Sequence, residues 1–333
     1  MRTVRDLRDI LGIELPILSA PLGGASGPEL VAAVSNVGGY GVIPLWGYPT
    51  DKIRDGIRRT RELSDRNFAV NLNMSLDYRD ALRTCIEEQV HAVSFFWGLD
   101  ALAIETAKAA GLVVMSSVGS AAEARRAQDA GADIIVAQGY EAGGHVWGKV
   151  STMALIPAVS DAVDVPILAA GGIADGRGMA AALMLGAAGV WVGTRFLASP
   201  EALIHETYRA SVIAAAETDT DWHAELYDGD WPKAPHRTLK NPTSEAWHNA
   251  GCPPPGSRPG ENEVVGTRPC GAEILRYECY TPRPGTDGRV DEMSMWCGQG
   301  VGSVRRIMPA AEIVAEIWDD ARRCISVRNS SLE

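Results

Sequence analysis

Between residues 16 and 197 one pattern recurs eight times: a short apolar run, a turn residue, then a segment of helical periodicity. The apolar runs lie at 16–21, 40–44, 68–73, 92–97, 112–118, 133–138, 165–170 and 190–196. Helical segments such as 28–36, 51–63, 101–110, 121–130, 153–163 and 178–185 separate them. Each repeat takes about 20 to 30 residues, the length of one strand plus one crossover helix. The runs are apolar almost throughout instead of alternating, as expected of parallel strands buried on both faces.

Such a chain can form an open doubly wound sheet or a closed barrel. The count of eight favours closure. So does the lack of a Gly-x-Gly-x-x-Gly turn after the first strand with an acidic residue after the second. The predicted fold class is α/β, a (β/α)8 TIM barrel, which places its chemistry in the loops following the C-terminal strand ends.

Beyond residue 198 the texture changes. A helix is expected over 201–216, then a long irregular stretch over 219–292. Ten of the 19 prolines fall within 228–290, which opposes regular helix there. Trp222, Trp231, Trp247, Tyr227, Tyr277 and Tyr280 make the stretch too aromatic for a disordered linker. It reads as an ordered insertion packed over the barrel, either a cap or a subunit contact, and its aromatics would suit a homodimer. A last helix over 310–324 carries Ile313, Val314, Ile317, Trp318 and Ala321 on one face and closes the outer ring. The expected organisation is a main barrel part over 1–198, a helical then irregular cap over 199–296, and a return segment with the closing helix over 297–333.

Charge and composition narrow the partners. The 31 basic and 42 acidic side chains leave a net charge of −11 and no basic footprint for nucleic acid. No apolar run approaches the ~20 residues needed to span a bilayer. The first residues mix charges without an apolar signal core, so a cytoplasmic location is expected. The six cysteines are scattered without a C-x-x-C pair and read as reduced, partly buried thiols, with no metal expected.

Three loops look chemical. After the sixth strand comes Gln138-Gly139-Tyr140-Glu141-Ala142-Gly143-Gly144-His145, where glycines allow close backbone approach to a ligand and an imidazole stands ready to exchange a proton. After the seventh comes Gly171-Gly172, and after the eighth Gly193-Thr194. Barrels frequently hold a phosphate between these two loops, here on backbone amides with the Thr194 hydroxyl as an added donor. Asn71 lies inside the third strand and needs a partner, either a ligand edge or a neighbouring strand. Trp97 either lines a pocket or packs in the core. Gln299, between Gly298 and Gly300, could return to the active face.

Taken together, these residues resemble the FMN-dependent nitronate monooxygenases, formerly called 2-nitropropane dioxygenases. The resemblance rests on Leu15-Pro16-Ile17-Leu18-Ser19-Ala20-Pro21, on the segment from Ala33 to Gly41, on the Gln138–His145 loop, on Asp175-Gly176-Arg177-Gly178 running to Gly193-Thr194, and on Gly298-Gln299. The insertion, with its stretch from Gly229 to Arg237, is similar to a bacterial branch of the family. The resemblance implies FMN as cofactor, with Ala20, Pro21 and Leu22 near the isoalloxazine and polar contacts from Asn71 and Gln138. It also implies Gly143 and Gly144 beside the cofactor, Gly171, Gly172, Gly193 and Thr194 on the phosphate, and Gln299 nearby. His145 matches the active-site histidine that binds a nitronate or takes a proton from a nitroalkane. The implied reaction consumes an alkyl nitronate and O2 and yields a carbonyl compound and nitrite. Leu22 stands where the family usually has Met, and Val146-Trp147-Gly148 follows the histidine where many members have a shorter step. Tyr140, Trp147 and Trp97 are therefore expected around the substrate pocket.

Two other readings share the scaffold: an FMN-dependent NAD(P)H oxidoreductase of enoyl or quinone reductase type, and a biosynthetic flavoenzyme acting on a larger substrate. A non-catalytic flavin-binding module is a third. No lysine sits at a strand end, which argues against a Schiff-base aldolase.

Overall fold

The computed structural model describes residues 5–229 and 231–331. Asp230 of the Gly229–Arg237 stretch and the two C-terminal residues lie outside the described residues, as do residues 1–4. The barrel strands are β1 (Ile17–Ser19), β2 (Gly41–Pro44), β3 (Phe68–Asn73), β4 (Ala92–Phe96), β5 (Val113–Val118) and β6 (Ile134–Gln138). After a two-residue strand β7 (Gly144–His145) come β8 (Ile167–Ala170) and β9 (Gly189–Val192). All barrel neighbours pair in parallel, in the order β1-β9-β8-β6-β5-β4-β3-β2. A parallel bridge between Leu18 and Tyr40 joins the first strand to the second, and the sheet closes on itself. The expected (β/α)8 barrel is the observed fold.

Local chemistry accounts for the helices between strands. Pro28 opens α2 (Pro28–Asn36), where its missing N–H costs nothing. Further along come α3 (Thr50–Leu63), α4 (Arg79–Glu87) and α5 (Ala101–Ala109). The side chains of Asp100, Ser120 and Asp175 accept from amides in the first turns of α5, α6 (Ala121–Asp129) and α8 (Gly176–Met184). Between the last two lies α7 (Thr152–Ser160). Inside the barrel, Leu18, Val42, Ala69, Met115, Ile134, Val136, Leu168 and Trp191 form one apolar cluster. Leu7 and Leu11 of the short α1 (Leu7–Leu11) join it, and Leu7 crowds Gly189 at the start of β9. That places α1 across the N-terminal mouth and leaves the C-terminal mouth for the site.

Three boundaries differ from the sequence expectation. The eighth barrel strand stops at Val192, and Thr194–Leu197 turns into a short helix, α9, because Gly193 breaks the extended run. The helix expected over 201–216 is shorter, α10 (Glu206–Ala214), started by the His205 ring accepting from the Thr207 amide. The insertion is also more regular than its prolines suggest. It contributes β10 (Thr220–His223) and β11 (His236–Leu239), then α11 (Pro242–Asn249) and a second small sheet of β12 (Val264–Thr267), β13 (Glu273–Leu275) and β14 (Asp287–Gly288). Its prolines fall outside these strands, so the ladders lose no donors to them. The last helix, α12 (Ala310–Ser331), buries Ile313, Val314, Ile317 and Ala321 and packs between α8 and α2.

Candidate active site

A cavity of about 750 Å³ opens at the C-terminal ends of the barrel strands, within the size range of cofactor and ligand sites. Its wall includes Ala20, Pro21 and Leu22 after β1, Asn71 in β3, Gln138 at the end of β6, and Gly143, Gly144 and His145 in the following loop. Gly171, Gly172, Gly193 and Thr194 line it after β8 and β9. Among the described residues no carbonyl accepts from the amides of Gly172, Gly193 and Thr194. The Thr194 hydroxyl accepts from the Gly298 amide at 2.9 Å and also meets the Cys297 thiol. Open amides at a helix N-terminus suit a phosphate.

The backbone strips that build this wall touch without room for side chains. A Cβ on Gly143 would fall 2.3 Å from the Gly298 nitrogen, and one on Gly298 would fall 2.8 Å from the Gly143 nitrogen. Gly171 and Gly172 hold φ at +102° and +73°, a region that favours glycine. These glycines answer to packing and turn geometry as well as to any ligand.

His145 is positioned from two sides. The Gln138 side chain bridges its own loop, donating from Nε2 to the His145 carbonyl at 3.1 Å and accepting from the Trp147 amide at 2.9 Å. That leaves one N–H and part of the oxygen of Gln138 for a ligand. From the other side, β11 pairs with β7 and sets His236 opposite His145 and Arg237 opposite Gly144. Across β11, His223 of β10 faces His236, so three imidazoles form one row of the small sheet. Ring centroids are 5.8 Å apart for His145–His236 and 5.9 Å for His236–His223. The His236 proton sits on Nδ1, which donates to the Ala234 carbonyl at 2.9 Å, since Nε2 accepts from the Tyr227 amide at 3.2 Å.

Aromatic rings wall the His145 imidazole: Trp231 at 4.0 Å, Trp296 at 5.2 Å and Trp97 at 5.7 Å between centroids. Its Nε2 lies 3.9 Å from the sulfur of Cys279. Loss of water around the ring, and to a lesser extent the nearby His236, push its pKa well below the ordinary 6.5. His145 is thus a neutral imidazole at physiological pH, able to accept a proton. Burial pushes His236 down to about 4 and His223 to about 3.

Several expected residues stand elsewhere. Gln299 is exposed and absent from the cavity wall, although its neighbours Gly298 and Gly300 line it. Tyr140, Trp147 and Trp97 do not line it either. The Tyr140 ring lies under the Arg237 guanidinium at 5.1 Å and against Trp222. The Trp147 ring is turned outward, its Nε1 donating to Glu123 at 3.0 Å, and packs on Trp97. Trp97 holds φ at +68°, strained for a bulky side chain, and reaches only the flank of His145. Asn71 faces the cavity with its amide committed, accepting from Trp46 Nε1 and donating to Ser94, all at 3.1 Å. Glu141 points away and takes the amide and hydroxyl of Thr152 at the start of α7. The wall contains residues the sequence did not single out for it: Trp231, Trp296, Cys279, Thr281 and Arg283, all from 231–296.

The family model for nitronate monooxygenase matches residues 5–320. The chain belongs to the nitronate monooxygenase family. It is 37% identical over 253 residues to a (3aS,4S,5R,7aS)-5-hydroxy-7a-methyl-1-oxo-octahydro-1H-indene-4-carboxyl-CoA dehydrogenase of Rhodococcus jostii, covering 75% of this chain and 70% of that one. It is 36% identical over 260 residues to a probable nitronate monooxygenase of Staphylococcus aureus, covering 64% of this chain and 73% of the other. Among solved structures, FabK from Thermotoga maritima superposes with a TM-score of 0.81 at 30% identity, over 99% of this chain and 100% of that one. This member of the nitronate monooxygenase family is a flavin-dependent oxidoreductase. No helix among its described residues is long and apolar enough to cross a membrane.

Proposed function

We propose that the chain binds FMN and oxidises alkyl nitronates, or the nitroalkanes from which they form, with O2 to a carbonyl compound and nitrite. The observation that carries this reading is His145, a desolvated neutral imidazole on the wall of a cavity rimmed by open glycine amides. In this reading Gly171, Gly172, Gly193 and Thr194 hold the phosphate, and Ala20, Pro21, Leu22, Asn71, Gln138, Gly143 and Gly144 border the ring system. Residues 1–198 and 297–333 would carry the cofactor while 199–296 cover it. FMN, when bound, accepts the electrons that the nitronate gives up and passes them to O2.

The protein supplies base, orientation and dryness. His145 takes the acidic proton of a nitroalkane at whichever ring nitrogen faces the substrate; with a preformed nitronate it donates a hydrogen bond from the other tautomer. Trp231 and Trp296 exclude water from the imidazole and hold its plane. Gln138 and the β7–β11 pairing keep the ring in place between turnovers.

His145→Ala is expected to lower kcat/KM on neutral nitroalkanes by about 10²–10⁴-fold, the usual worth of a general base. It should cost much less on preformed nitronates. Because the imidazole stays neutral well below pH 6.5, the wild-type rate on nitroalkanes should remain level as pH falls from 8 through 6.5. A rate that halves near 6.5, or a variant that keeps full nitroalkane activity, sinks the assignment.

The CoA-ester dehydrogenase relative and the FabK superposition favour a second reading, oxidation or reduction of an acyl thioester with a pyridine nucleotide. Anaerobic bleaching of the flavin by NADH or NADPH, with no response to nitronates, would move the assignment there.

A further inference from the structure

The charges of the cavity wall have one sign. Among the described residues it carries Arg268 and Arg283 and no aspartate or glutamate, in a chain where acidic side chains outnumber basic ones 42 to 31. Both arginines come from the insertion, and the backbone cradle of the glycine loops needs neither. Arg268 is already neutralised: its Nη2 donates to Glu278 Oε2 at 2.6 Å and its guanidinium lies over the Tyr280 ring at 4.8 Å.

Arg283 is in a different state. The recorded partner of its guanidinium is a neutral one, the Tyr48 hydroxyl at 3.0 Å from Nη2. Its Nε is buried without a hydrogen-bond partner. A guanidinium has five N–H donors, and a buried donor left unmade costs free energy, so this group is poised for an acceptor that the described residues do not provide. Its surroundings are fixed. The Arg283 amide donates to Thr286 Oγ1 at 3.1 Å. Thr281, two residues earlier, donates to the Gly23 carbonyl at 2.7 Å and accepts from Trp296 Nε1 at 3.0 Å. Gly24 supplies the clearance, since a Cβ there would stand 3.3 Å from Arg283 Nε. The Arg283 backbone, the rim and the Trp296 that walls His145 are therefore tied together by hydrogen bonds.

We propose that Arg283 determines specificity by holding an anionic group, a carboxylate or a phosphate, on the part of the substrate remote from the reacting carbon. The inference rests on the reading above that an organic substrate reacts beside His145, and it adds the charge that substrate carries. The planar fork of the guanidinium suits either oxyanion in a bidentate pair.

The test uses the flavin-loaded enzyme as wild type, Arg283→Gln and Arg283→Lys, and two matched probe pairs. Propionate 3-nitronate against propane 1-nitronate, which has a methyl group in place of the carboxylate, isolates that carboxylate in turnover. The coenzyme A fragment 4′-phosphopantetheine against pantetheine isolates a phosphate, read as quenching of tryptophan fluorescence. In wild type the member of one pair that bears the added carboxylate or phosphate should be preferred. Arg283→Gln should reduce that preference about 10- to 100-fold through KM or Kd, and Arg283→Lys should restore part of it. A change confined to the nitronates identifies a carboxylate, and one confined to the pantetheine pair identifies a phosphate. Equal effects on both members of each pair, or none, overturn the proposal. So does weaker flavin retention on dialysis of Arg283→Gln, which would give the guanidinium to the cofactor's own phosphate. If neither nitronate is turned over, the nitronate reading fails while the fluorescence titration still decides the role of Arg283.

Discussion

At Gly143 the backbone of one loop lies against the backbone of another, and a methyl group has nowhere to go. Its Cβ would stand 2.3 Å from the Gly298 nitrogen and 2.5 Å from the Cys297 carbonyl carbon, neither of which can rotate aside. Gly193 has more room, its nearest neighbour being the flexible tip of Leu22 at 3.4 Å. Gly143→Ala should therefore destabilise the protein by about 1–3 kcal/mol, the range for overpacking. Gly193→Ala should stay within about 0.5 kcal/mol of wild type while loosening flavin retention. Urea midpoints and flavin content per chain check both, and equal midpoints for the two variants would contradict the packing argument. At this scale residue type and loop position made His145 and the glycines legible. Side-chain direction was not. Tyr140, Trp147 and Trp97 lie near His145 in the fold, but Arg237 from 97 residues away holds the Tyr140 carbonyl, and Glu123 draws Trp147 outward. Nothing in the local spacing encodes either partner.

Among elements, the barrel strands were readable because burial on both faces writes an apolar run directly into the chain. The small sheet around His145 was not, since β7 has two residues and exists only because β11 pairs with it. The helix that follows β11 is anchored at its start by Asn241 and by Thr243, which donates to the Glu292 carbonyl at 2.7 Å. Asn241 caps α11 in a reciprocal box with Ser244, accepts from the Tyr227 hydroxyl at 2.9 Å and donates to the Met293 carbonyl at 2.8 Å. Replacing Asn241 with Ala removes the cap, worth about 1 kcal/mol, and takes one partner from the buried Tyr227 hydroxyl, which keeps Thr243, at a further ~0.5–1.5 kcal/mol. Ser244→Ala touches the reciprocal bond of the box and should cost about 1 kcal/mol or less. Equilibrium unfolding of the two variants separates these values, and a loss below about 0.5 kcal/mol for Asn241→Ala would show that the insertion is held by other means.

For the whole molecule, the row of buried imidazoles sets the response to acid. Each is harder to protonate in the folded state than in the unfolded chain, where the pKa is near 6.5. Below 6.5 the unfolded state binds more protons, so stability is complete above that value and falls as pH drops. The loss continues to about 4 for His236 and about 3 for His223, where the folded protein itself takes up the proton. Each imidazole contributes a slope of about 1.4 kcal/mol per pH unit through this window. His236→Gln should be less stable than wild type at pH 7.5, with the gap shrinking at about that slope between pH 6 and 4.5. Parallel stability curves for the two proteins would exclude His236 as a source of acid sensitivity. The acidic composition told of partners but not of this, because the burial that depresses His145, His223 and His236 arises where the folded insertion packs on the barrel loop.

The pairing of His145 with His236 also has a timetable. A ribosome adds about 5–20 residues per second, so the 91 residues after His145, up to and including His236, take roughly 5 to 18 s to emerge. Once Thr194 has emerged the strands and glycine loops after them are complete in sequence, while the imidazole still lacks its edge partner and the rings of Trp231 and Trp296. A chain terminated between Leu197 and Trp231 thus carries these glycine loops without a poised base. The order of residues along the chain delays reactivity until the molecule can contain it.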